Sequence, residues 1–199
     1  MNSSELRKRF FDTAVADVLR AVDGGSLMGA NTLALCVIDY LSYLRPKNSA
    51  EGIKVNYKSI VDEYLKKVDG RYDSAKIFAL RCALVHTYAG ADAMTKANVT
   101  GYLFKHKDFK FHLSGSDGVL CLNADSFVAD VIWTAHLTFE ENMSDAAFEN
   151  RGDSLLVVSV PGAQMISRKY SSFHKALGEF DAANPDLANL HRAVTALYP

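Results

Sequence analysis

The sequence predicts a mainly α-helical protein, an antiparallel helical bundle with a small antiparallel β-hairpin or sheet appended after its fourth helix. Three observations predict it. Apolar residues recur at helical spacing through most of residues 3–95. Gly24-Gly25, Pro46 and Gly70 punctuate that stretch into short-connected segments. From Tyr102 to Leu122 aromatic and β-branched residues replace the helical spacing around a turn cluster, Ser114-Gly115-Ser116-Asp117-Gly118.

Taken in order, the first helix covers residues 3–22, with Leu6, Phe10, Val15, Val18, Leu19 and Val22 as its apolar stripe and Ser3 or Ser4 as its cap. The second runs from Ser26 to Leu44 and stops before Pro46. It is apolar on most faces, so it is expected at the centre of the bundle. Asp39 is the one charge inside it and requires a cationic partner. A third helix is expected over 56–68, ended by Gly70, and a fourth from Asp73 or Ser74 to about residue 95.

Beyond it, Phe109–Leu113 and Val119–Leu122 read as the two strands of a hairpin, with Phe109, Phe111 and Leu113 on one face and Lys110 and His112 on the other. Asn123 or Asp125 caps a fifth helix carrying Phe127, Val128, Val131, Ile132, Ala135 and Phe139. Residues 155–160 are a short buried strand candidate that could join the hairpin, its pairing left open, and helices near 170–182 and 186–197 close the chain. No linker divides the sequence, so it reads as a single domain: bundle core 1–98, hairpin, helix and strand 99–169, C-terminal helices 170–199.

Composition narrows the function classes. With 199 residues, 49% of them apolar, the chain can bury one sizeable core, and 12 Gly and 4 Pro leave no sign of disorder. The net charge of -1 argues against a nucleic-acid coat protein. Charge is nevertheless uneven: residues 1–110 hold 17 Lys/Arg against 12 Asp/Glu, and 111–199 hold 5 against 11, so the two parts carry +5 and -6. A polyanion would meet the first part. Cys36, Cys82 and Cys121 sit among apolar neighbours in no metal or redox spacing and read as buried residues of a reducing, cytoplasmic protein. The Ser26–Leu44 run has the length of a short membrane span, but Asn31 and Asp39 interrupt it and favour a buried helix with no membrane contact.

The residues with the most chemistry are Arg81, His86 and Tyr88 in Arg81-Cys82-Ala83-Leu84-Val85-His86-Thr87-Tyr88. They set a permanent cation, an imidazole and a phenol on one apolar helix, where such groups need partners. Arg81 and Tyr88 lie on nearly one line of that helix, and His86 is turned from Arg81 by roughly 140°. The positions three, four and seven residues from His86 are Ala79, Cys82, Ala83, Ala89, Gly90 and Ala93, all small. A strip of small residues lets another helix come close, which is the physical ground for expecting a two-fold homodimer that brings together two copies of Arg81 and His86.

The spacing R-x4-H-x-Y over these eight residues resembles the signature of the HEPN superfamily, helical proteins many of which are metal-independent ribonucleases. The resemblance implies a dimer whose Arg81 and His86 line a cleft and cut RNA to a 2′,3′-cyclic phosphate, with His86 as general acid or base and Arg81 holding the phosphate. It also implies that Tyr88 is a site of AMP transfer by a partner nucleotidyltransferase, as in toxin–antitoxin pairs of that superfamily, or supports the site. The chemistry suits the groups, an imidazole titrating near neutrality and a guanidinium that grips phosphate. Cys82 stands where the family usually carries a polar residue, and the strand region after residue 100 is foreign to minimal toxins.

The bland alternatives are as concrete. Arg81 can be a structural cation paired with Asp39, Asp62 or Glu63, His86 an interface histidine, and Tyr88 a core or interface aromatic. Lys105, Lys107, Lys110 and His112, interleaved with Phe109 and Phe111, form a weak candidate RNA grip, or the solvated face of a hairpin. No zinc spacing and no P-loop, dinucleotide or serine-hydrolase motif is present, so neither a metal nor a cofactor is expected. Two readings remain: a HEPN-like endoribonuclease with RNA, a second copy and an antitoxin or nucleotidyltransferase as partners, and a non-catalytic helical interaction or nucleotide-sensing module.

Overall fold

The computed structural model describes residues 3–45, 52–86, 90–106, 109–154, 156–160 and 163–167. Helices dominate it, accompanied by a small two-stranded parallel sheet. Helix α1 is built of three consecutive segments, Ser3–Phe10, a π-helical turn Phe11–Val15, and Ala16–Asp23. Helix α2 is Leu27–Leu44, and α3 again has a π-helical turn, Val61–Leu65, between Gly52–Ile60 and Lys66–Val68. Helices α4, Ser74–Val85, and α5, Gly90–Lys96, follow. Strands β1, Gly101–Lys105, and β2, Val119–Asn123, flank a 3-10 turn at Phe109–Phe111. Helices α6, Ala124–Asn142, and α7, Ala146–Ser154, lead to strands β3, Leu156–Val160, and β4, Ala163–Ser167.

As its composition requires, α2 is the hub, packed by α1, α3, α4, α6 and α7. Its Leu35, Ile38, Leu41 and Leu44 are fully buried, against Tyr57, Ile60 and Leu65 of α3, Ile77 and Leu80 of α4 and Phe127, Val131 and Phe139 of α6. This helix is long and apolar enough to cross a membrane, and half of it is buried inside the protein. Phe139 joins the ends of the bundle, its ring 5.2 Å from Phe10 and 5.3 Å from Phe148. Both sequence-assigned caps of the central helices form: Asp73 accepts from the N–H of Ala75 and Lys76, and Asn123 from that of Ser126.

Two expectations are overturned. The fourth helix does not continue to residue 95. It ends at Val85, and His86 leaves helical geometry at φ -129°, ψ 74°. The chain then returns along α4 as α5, and a Cβ on Gly90 would stand 2.8 Å from the Cα of Ala83, an approach only glycine permits. Part of the small-residue strip thus accommodates the chain's own next helix.

The expected hairpin is also absent. Residues 109–111 form a 3-10 turn, and β2 pairs with β1 in parallel, Gly101 opposite Val119 through Lys105 opposite Asn123. A parallel pair needs a crossover of about a dozen residues, and 106–118 supplies it. The strand at 156–160 does not join this sheet; it pairs antiparallel with β4. Helix α7 was not foreseen from the sequence. The helices expected near 170–182 and 186–197 lie outside the described residues.

Candidate functional site

Asp39, three turns into α2, faces α4 and meets the one cation that helix carries inward. Arg81 donates from Nε at 2.9 Å and from Nη2 at 2.6 Å to the same Asp39 oxygen. The two side chains are 14% and 25% exposed, so the pair lies at the edge of the core and not within it. Burial opposes the charge on Arg81, but the hydrogen bonds and charge of Asp39 outweigh it and leave the guanidinium more basic than usual. Of the three partners the sequence offered, Asp39 is the one used; Asp62 pairs with Lys66 and Glu63 with Arg45.

Two further groups share this field. Tyr57 of α3 is fully buried and its hydroxyl has no hydrogen-bond partner among the described residues. Burial, with the Asp39 carboxylate second, pushes its phenol well above the usual range, and Arg81 offsets only part of that. Cys36, one turn before Asp39, reaches the surface, yet the atoms around its sulfur desolvate it. That desolvation, then Asp39, raise its thiol, so it is poorly suited to act as a thiolate nucleophile.

His86 is brought to a different place. As the residue that caps the C-terminus of α4, it is exposed, and its N–H closes the helix on the Cys82 carbonyl at 3.0 Å. Arg81 and His86 therefore do not project from one continuous helix, as the spacing had implied. Tyr88 lies outside the described residues, as does Lys107.

Of the weak RNA-grip residues, His112 leaves the exposed face. Lys105 places its ammonium 3.9 Å from the ring centroid of Phe111, a residue 39% exposed. Lys110 sits on the 3-10 turn. His112 turns inward and is 4% exposed, which inverts the expected alternation of Phe111 inside and His112 outside. A 3-10 turn has three residues per turn, so the period-two pattern of a strand does not govern which side chains are buried.

What holds His112 inside is a polar cluster that the sequence reading missed. Its Nδ1 accepts the Asn123 N–H at 3.3 Å, which leaves the hydrogen of the neutral ring on Nε2, 3.2 Å from Asp130 and 3.1 Å from the Tyr72 hydroxyl. Tyr72 in turn donates to Asp130 at 2.8 Å, and Arg71 holds the His112 carbonyl at 3.0 Å. Burial first, then Asp130, pushes the Tyr72 phenol far above its usual range, so it remains a donor. The cluster ties the crossover to the start of β2's neighbour α6 and to the α3–α4 connector. Asp130 carried the signal: like Asp39, it is a lone carboxylate inside an apolar stripe, here Val128, Val131 and Ile132.

Among the described residues no group of three His, Cys, Asp or Glu side chains is arranged to hold a metal ion. In comparisons with known proteins, no family model, no curated protein and no solved structure matches this chain.

Proposed function

We propose that the chain is a non-catalytic helical interaction module of HEPN-like type, in which Arg81 serves the fold. The observation that supports this reading is the commitment of Arg81 to Asp39 through two of its donors. A guanidinium neutralised within the protein is a poor clamp for a phosphate, because the phosphate must compete with a carboxylate already in place. The interaction is with a second copy of the chain or a partner protein, in a cytoplasmic setting, and it needs neither a metal nor a cofactor.

One observation favours the endoribonuclease as a second reading. His86 is exposed at the end of α4, where a ribose 2′-hydroxyl could reach it, and Nη1 of Arg81 is not used by Asp39. In that reading RNA meets two copies of the chain, His86 exchanges the proton of the attacking hydroxyl, and Tyr88 is where a partner nucleotidyltransferase regulates the protein.

Incubation of RNA with the wild type and with His86→Ala separates the two. Absence of cleavage by both proteins is expected for the interaction module, and equal cleavage by both would exclude His86 as its source. Cleavage to 2′,3′-cyclic ends that His86→Ala abolishes would overturn it in favour of the ribonuclease.

A further inference from the structure

The crossover that carries His112 ends in a glycine-rich loop, residues 115–118, and this loop walls a cavity of about 200 Å³ with Lys76 of α4 and Asn98 beyond α5. Three of the loop's four carbonyls are taken up by hydrogen bonds. Ser116 accepts the Val119 N–H at 2.9 Å, Asp117 the Thr100 hydroxyl at 3.0 Å, and Gly118 the Thr100 N–H at 2.8 Å. The N–H groups of residues 115–118 have no hydrogen-bond partner among the described residues.

The conformation that divides donors from acceptors in this way is enforced. Gly115 lies so close to β2 that a Cβ would stand 1.9 Å from the Val119 carbonyl oxygen. Asp117 and Gly118 have φ of +53° and +79°, left-handed values in succession. Consecutive free N–H groups in a turn of this kind make a concavity of positive potential that suits an oxyanion. Lys76 adds a full charge, and its ammonium pairs with no carboxylate among the described residues.

We propose that this cavity binds a small phosphate group, inorganic or carried on a small monoester, between the 115–118 amides and Lys76. The site does not depend on the role of Arg81 or His86. Asp117 is the one carboxylate among the residues that line it; it is exposed, and its like charge limits affinity.

The test titrates inorganic phosphate at constant ionic strength and follows the backbone amide resonances of the full chain. Saturable shifts at residues 115–118 are expected, with affinity lowered about tenfold in Lys76→Gln, retained in Lys76→Arg and increased in Asp117→Asn. Asparagine tolerates the left-handed backbone, so that last variant changes charge alone. The structural duty of Lys76 is its carbonyl, which accepts the Tyr102 hydroxyl at 2.7 Å and survives either substitution. Shifts that do not saturate, or equal affinity in wild type and Lys76→Gln, overturn the proposal.

Discussion

Arg81 reaches across from α4 to a single oxygen of Asp39 on α2 and makes two hydrogen bonds to it, 2.9 and 2.6 Å long. Removing either partner strands the other at the edge of the core, whereas removing both leaves no orphan. Asp39→Ala and Arg81→Ala are each expected to destabilise the fold by about 2 kcal/mol, between the costs of exposed and fully buried pairs. The double variant is expected to lose clearly less than the sum. Strict additivity in urea unfolding would show that the pair contributes nothing as a pair.

That pairing was legible in the sequence because a lone carboxylate in an apolar helix has few ways to be tolerated, and Arg81 was among few cations on a facing segment. The caps at Asp73 and Asn123 were legible for a similar reason: each is a short polar acceptor immediately before an apolar helical run. The break at His86 was not. Ala79, Cys82, Ala83, Ala89 and Gly90 continue a helical pattern and equally permit two helices to touch, so periodicity alone could not separate one long helix from two packed ones. The alternation Phe109, Phe111, Leu113 misled in another way. It imitates a strand, while the partner β2 actually takes, Gly101–Lys105, was fixed by packing at long range.

The same ambiguity yields a prediction at Gly90. Alanine is the better helix former, but the gain is at most about 1 kcal/mol and smaller at the first residue of a helix. A Cβ there would press on the backbone of Ala83, and overpacking of this kind costs roughly 1–3 kcal/mol. Gly90→Ala should therefore destabilise, with hydrogen exchange quickening first in α5. A variant more stable than the wild type would mean that α5 does not lie this close to α4.

The cluster around His112 predicts a pattern of losses. His112→Phe keeps the ring but leaves the buried Asn123 N–H without an acceptor and Asp130 short of a donor, at a cost of about 2 kcal/mol or more. Tyr72→Phe removes only the donor to Asp130 and the contact to His112, so the expected loss is about 1–2 kcal/mol. Because both act on Asp130, the double variant should fall short of the sum in denaturant unfolding. Unchanged stability in His112→Phe would place that ring in solvent, against the burial described above.

The surface of α6 carries a pH dependence. Arg7, which can only donate, places Nη2 2.9 Å from Nδ1 of His136, so that nitrogen must keep its lone pair. Burial, then the charge of Arg7, lowers the His136 pKa below its ordinary 6.5, and Glu140 offsets this only in part. With the folded value depressed, both states are neutral above about pH 6.5 and the contribution to stability is complete there. As pH falls, the unfolded chain takes up the proton first, and the contribution is lost through the folded pKa. Urea midpoints of wild type and His136→Gln, compared at about pH 7.5 and about pH 5.5, should converge on acidification, since only the wild type loses this component. Parallel changes in the two proteins would show that His136 titrates freely and that Arg7 does not hold its ring.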